Sequence, residues 1–261
     1  MIFKLKYFLE FIIIFLIIIT YGCEFNNISE NKMFSESVLF NLVVGKENQE
    51  LYIYKIVTNN EPEYYKFSPD NFFLKNADII LFNEKMNFSS FFVKDLSNNN
   101  ANYWERKLYY TNSKKLELYP NTNYKIDILI DNKHIIGSTT TPSDFNIIFP
   151  TSNSTFKLKD IRNGKGLEIK WEKSDSAMGY IGKVFIHKGK GTIAKDRQFV
   201  TQDTVYIYND IYTTGKAEIN ILAYDKNYHE HFNQFLQSAG IEGAYGYFGS
   251  SVLKSVTVNI K

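Results

Sequence analysis

The stretch that most limits what this chain can become is its first twenty-three residues, Met1 to Cys23. Lys4 and Lys6 open it, residues 11–19 form an unbroken apolar run, and Thr20-Tyr21-Gly22-Cys23 closes it. A basic start, a short apolar core and a small residue at the end are the layout of a secretory signal. The run is shorter than the ~20 apolar residues that a bilayer-spanning helix needs, so it reads as a segment removed on export. Cys23 is the chain's only cysteine, so no disulfide can form within the chain. An exported chain without disulfides must be held by its core. The 19 Tyr and 22 Phe supply large apolar surfaces for that core. Together with Ile and Thr they suit a pleated, half-buried surface, so composition leans towards β structure.

A lone thiol directly after Gly22, at the end of such a core, resembles the lipobox cysteine of bacterial lipoproteins. The resemblance implies that the Cys23 sulfur receives a diacylglyceryl group and that cleavage leaves Cys23 as the first residue, with 1–22 lost. The chain departs from the usual pattern at Thr20 and Tyr21, where a branched apolar and a small residue are common. The plainer alternative is an ordinary signal followed by a stray cysteine. Cleavage leaves about 239 residues, enough for two ordinary domains. The formal charge of +2 falls to +1 once Lys4, Lys6 and Glu10 are gone. Nucleic acid is thereby disfavoured as a partner, since binding it runs on a basic surplus that neutralises phosphates.

Residues 23–36 are polar, with Asn26, Asn27 and Asn31, and read as a tether. From 37 to 142 the pattern is one of short strands between turns. Val38, Phe40, Leu42 and Val44 alternate, and Ser68-Pro69-Asp70-Asn71 and Asn98-Asn99-Asn100 are turn chemistry. Leu118-Tyr119-Pro120-Asn121-Thr122-Asn123-Tyr124, followed by Ile126, Ile128 and Ile130, resembles the corner that leads into strand F of a fibronectin type III or related immunoglobulin-like sandwich. Tyr124 would be the corner residue whose hydroxyl bonds back to the turn. A Thr141-Pro142 link leads to a second unit, 143–261. There Trp171 would be the core tryptophan of strand B, Tyr180 would open strand C, Val205 to Tyr208 would be strand E, residues 217–225 strand F and residues 252–260 strand G. The expected fold is therefore all-β, with two immunoglobulin-like sandwiches.

Lys226 to Ser251 interrupts this plan, because sandwich hairpin loops are usually two to five residues and long connections tend to carry function. Phe232, Phe235 and Leu236 sit at i, i+3 and i+4, so a short helix over 231–238, ended by Gly240, is expected in this long loop before the last strand. Phe232, Phe235, Leu236 and Phe248 would cap the open end of the sandwich. Tyr228, His229, His231, Tyr245 and Tyr247 are the candidate partner- or ligand-binding residues, since Gly-flanked aromatics can stack on a sugar or dock a partner. His229 and His231 are two apart and would point to nearly opposite sides of a helix, with no further ligands at zinc-like spacing, so no metal and no cofactor are expected.

Ile241-Glu242-Gly243-Ala244-Tyr245-Gly246-Tyr247-Phe248-Gly249, just before the final strand, resembles the C-terminal signature of an uncharacterised family of Bacteroidota outer-membrane lipoproteins. That resemblance implies an outer-membrane location and association with a β-barrel receptor or transporter. A glycan is the alternative ligand. An enzyme is the minority reading: Gly189-Lys190-Gly191-Thr192 lacks the P-loop spacing and no Gly-x-Ser-x-Gly elbow occurs. A hydrolase would need carboxylates assembled from distant strands. Intact mass of the protein extracted from a membrane fraction should show an acylated N-terminus at Cys23, and Cys23→Ser should leave the leader uncleaved; an unmodified thiol at residue 23 removes the anchor.

Overall fold

Alternation of apolar and polar residues builds strand β1 (Glu36–Val44), where Val38, Phe40 and Leu42 are fully buried and Leu39 and Asn41 face the other way. The computed structural model describes residues 34–56, 74, 76–83, 87–88, 91–95, 107–111, 116–188 and 192–261. Cys23, the leader at 1–22, most of the tether at 23–36 and the turns at 68–71 and 98–100 lie outside them. β1 pairs antiparallel with β2 (Glu50–Lys55), and β6 (Lys107–Thr111) and β5 (Phe91–Asp95) continue the sheet. Facing it is a second sheet in the order β8 (Lys133–Thr140), β7 (Asn123–Ile130), β3 (Asp78–Phe82) and β4 (Asn87–Phe88), with the two residues Ile241 and Glu242 paired on the outer edge of β8. Between them lies a core built on Phe40, Leu51, Ile53, Leu81, Tyr124, Ile126 and Ile128. Tyr124 is fully buried at the start of β7, and its hydroxyl accepts a hydrogen bond from the Tyr119 N–H at 2.8 Å, the corner that its spacing predicts.

The second half repeats the plan. β9 (Ile147–Phe149), β11 (Leu167–Trp171) and β14 (Val205–Tyr208) form a three-stranded sheet with β11 in the middle. Opposite stand β13 (Thr192–Thr201), β12 (Gly179–Lys188), β15 (Gly215–Tyr224) and β18 (Tyr245–Ile260), in that order. Trp171 is 1% exposed, with the Tyr180 ring edge-on at 5.3 Å. Short pieces complete the chain: β10 (Thr155–Phe156), helical turns at Leu158–Asp160 and Ile161–Lys165, helix α1 (Lys226–Asn233), β16 (Ser238–Ala239) and β17 (Ile241–Glu242). The protein is thus all-β, with immunoglobulin-like sandwiches of fibronectin type III-like strand order and a short helix before the last strand.

Two features differ from the sequence reading. The helix begins five residues earlier than expected, because Asp225 caps it: its side chain accepts from the Tyr228 N–H at 2.9 Å. The stretch 226–251 is also no simple loop, since its last part is strand. β18 is sixteen residues long. Its residues Tyr245 to Val252 pair in parallel with Ser37 to Val44 of β1, and Ser251 to Ile260 pair antiparallel with β15. The large sheets of the two halves are therefore one continuous sheet. On one face of it Phe248 joins the first core, stacked on Phe40 at 5.2 Å, while Val252, Val256, Val258 and Ile260 join the second. The Thr141-Pro142 link is buried as well, and Thr141 Oγ1 accepts from the Thr122 N–H and donates to the Tyr119 carbonyl.

Close approach of β1 and β18 depends on Gly246, whose φ is +103° and where an added Cβ would lie 2.0 Å from the Val38 carbonyl oxygen. Gly246→Ala should destabilise the protein by about 2–4 kcal/mol. Urea unfolding should show this as one shared transition at a lower midpoint; two separate transitions would mean that the halves are independent.

Candidate functional site

α1 lies on the back of the continuous sheet, where the absence of a side chain at Gly249 lets it approach: a Cβ there would stand 3.0 Å from the Tyr228 amide nitrogen. The helix starts at Asp225, which is 4% exposed. One carboxylate oxygen accepts from the Tyr228 N–H, and the other accepts from Thr139 Oγ1 on β8 at 2.5 Å. Thr139 Oγ1 also lies 2.8 Å from Ser250 Oγ on β18. Asn227 adds two bonds, donating from Nδ2 to the Ser138 and Phe248 carbonyls at 2.8 Å each. Burial pushes the Asp225 carboxyl above its ordinary pKa, and the bonds from Thr139, Tyr228 and Ser250 offset part of that rise.

Of the five residues singled out by sequence, four meet around the helix. Tyr228 packs on Tyr224, Phe232 and Tyr247, with ring centres 5.0, 4.5 and 5.8 Å away. His231 stacks on Tyr247 at 4.8 Å, and its Nδ1 lies 3.0 Å from the Leu236 carbonyl oxygen. His229 lies on the other flank, parallel to Tyr224 at 6.3 Å, with Nδ1 2.8 Å from Asn233 Nδ2. Tyr245 stands apart and packs edge-on against Phe34 at 5.2 Å. Tyr247 is buried and desolvation pushes its hydroxyl pKa well up; burial also raises that of Tyr228. Among the described residues no group of three His, Cys, Asp or Glu is placed to hold a metal ion.

Exposure of the expected caps is largely inverted. Phe248 is buried, but Phe232 is 45%, Phe235 84% and Leu236 43% exposed. They shape two surfaces. Phe232 and Tyr247 form one side of a groove of about 290 Å³, floored by Leu39, Asn41 and Val43 and bounded by Tyr52. Lys46 and Glu50, paired at 3.4 Å, line it too. Asn41 Nδ2 donates to Ser251 Oγ at 3.0 Å, while its Oδ1 is buried without a hydrogen-bond partner. Sequence reading passed over Asn41 and Tyr52, although their alternation with the core residues of β1 and β2 marks them as outward-facing. The second surface is the tip of the connection after α1. A third lies elsewhere, on the outer side of the small sheet, where Val205, Ile207 and Phe149 are 40%, 53% and 37% exposed around Glu168 and Lys170.

The fold defines a fibronectin type III-like β-sandwich protein. No family model matches the chain, and no curated protein matches it. Among solved structures, the crystal structure of the FN1–FN3 domains of chicken CNTN1 aligns with 86% of this chain and 69% of that one, at 11% identity and a TM-score of 0.23. No helix among the described residues is long and apolar enough to cross a membrane.

Asp225 generates a prediction with a definite sign. Its folded pKa is raised, so its contribution to stability is present below the unfolded value of about 3.9 and is lost as pH rises through the folded value. Asp225→Asn keeps a good cap and does not ionise, so its urea midpoint should gain on wild type as pH climbs from about 4 to 7. Asp225→Ala removes the cap and strands its donors, and should cost about 2–3 kcal/mol. A wild-type minus Asn difference that does not change with pH contradicts the buried-carboxylate account.

Proposed function

We propose that this is a lipid-anchored cell-envelope protein that acts by binding, as a non-catalytic accessory subunit of an outer-membrane receptor or transport complex. The leader, Cys23 and the Gly-aromatic stretch 241–249 support the location. The observation that carries the binding role is the outer face of the β9–β11–β14 sheet. A sheet with one solvated face normally presents polar residues there. Here Val205 and Ile207 alternate outward along β14, beside Phe149 across Lys170. Exposed apolar side chains grouped on a sheet and interspersed with charges suit a protein partner.

Glycan binding is the second reading, favoured by the groove beside α1. Tyr52 and Phe232 offer aromatic surface, and Lys46 and Glu50 offer charged groups of both signs beside it, a mixture that suits a sugar ring. Affinity capture from solubilised envelopes should recover a partner with wild type and lose it with Val205→Lys/Ile207→Glu, which alters only exposed side chains. A glycan array that lights up with wild type and goes dark with Tyr52→Ala, while no envelope protein is captured, would replace the first reading with the second.

A further inference from the structure

The connection after α1 is a fixed projection. Leu236 N–H donates to the Glu230 carbonyl at 3.1 Å, Gly246 N–H donates to the Gln237 carbonyl at 2.7 Å, and His231 Nδ1 reaches the Leu236 carbonyl. Phe235 is held at a φ of +57°, left-handed backbone that a bulky side chain rarely adopts. Phe235 is 84% exposed, between Phe232 at 45% and Leu236 at 43%. From Phe232 to Ile241 no residue is charged, and the polar neighbours are the amides Asn233, Gln234 and Gln237 and the hydroxyl of Ser238. Backbone strain that holds an aromatic ring out into solvent indicates a role for the ring outside the core.

The tip lies at one end of the shared sheet. Gln237 bonds Gly246 at the start of β18, Tyr245 lies opposite Ser37 in the sheet, and the Tyr245 ring touches that of Phe34. Phe34, the first described residue, therefore lies at the same end of the sheet that carries the tip. Cys23 is eleven residues before Phe34, which fully extended span at most ~40 Å. A tether that short keeps the tip at high effective concentration at the surface holding the anchor, so even a weak contact is populated. A small uncharged projection of two Phe and one Leu with amide shoulders suits the boundary between headgroups and acyl chains, where aromatic side chains settle.

We propose that Phe232, Phe235 and Leu236 form a second, non-covalent membrane contact that seats in the bilayer holding the Cys23 lipid and fixes how the sandwiches stand on it. This rests on the lipid-anchor reading, and the test separates the two. The mature chain with Cys23→Ser is held by an N-terminal hexahistidine tag on vesicles of phosphatidylcholine and phosphatidylglycerol containing a nickel-chelating lipid, so no acylation is needed. A polarity-sensitive fluorophore on Gln234→Cys should shift to the blue on docking and be quenched by spin-labelled lipids. The same probe on Tyr212→Cys should do neither, and adding Phe235→Ser/Leu236→Ser should abolish the shift. A probe at 234 that stays in water on the vesicle, or a shift that survives the double substitution, overturns the proposal whether or not Cys23 is acylated.

Discussion

Everything else in this molecule depends on the two edges of one strand. A strand presents a row of amide and carbonyl groups on either side, and each row needs a partner if it is to be buried. β18 satisfies one edge with β1 along its first half, and the other with β15 along its second half. Short additions cover what remains: β16 beside Gly246 and Tyr247, and β10 beside Asn259 and Ile260. Neither sandwich has a complete sheet without it. The Gly-rich start of the strand serves this, since a larger residue at 246 would collide with the β1 backbone.

A polar clasp reinforces the junction. Asp225, Thr139 and Ser250 come from the F–helix corner, the first sandwich and the shared strand, and they bond one another away from water. A buried carboxylate is costly to hold, and each of its bonds offsets part of that cost. The clasp also fixes the first turn of α1, and through Tyr228 and Phe232 it sets one wall of the groove and the base of the projecting tip.

How much of this the sequence discloses follows from where the periodicity is visible. Strands with one wet face read well: β14 falls on Val205–Tyr208 and β15 within two residues of its expected bounds. Tyr124 is found from its Pro and Thr neighbours, because a corner is local chemistry. Residues 246–252 are all buried, covered by the core on one face and α1 on the other, so no alternation survives there to announce a strand. The helix is misplaced because Phe232, Phe235 and Leu236 have helical spacing, whereas the real start is set by Asp225, a capping residue directly after a strand. Exposure at the tip is likewise illegible, since apolar spacing alone does not distinguish a face turned inward from side chains left outside.

One side-chain hydrogen bond across the seam of β1 and β18, from Asn41 Nδ2 to Ser251 Oγ, joins residues 210 positions apart. On that side β1 has no neighbour until residues 245–252, near the far end of the sequence, come to lie beside it. The first sandwich therefore keeps an open edge until the end of the second is in place. A chain truncated before 245 leaves both halves unfinished, each with an unpaired edge.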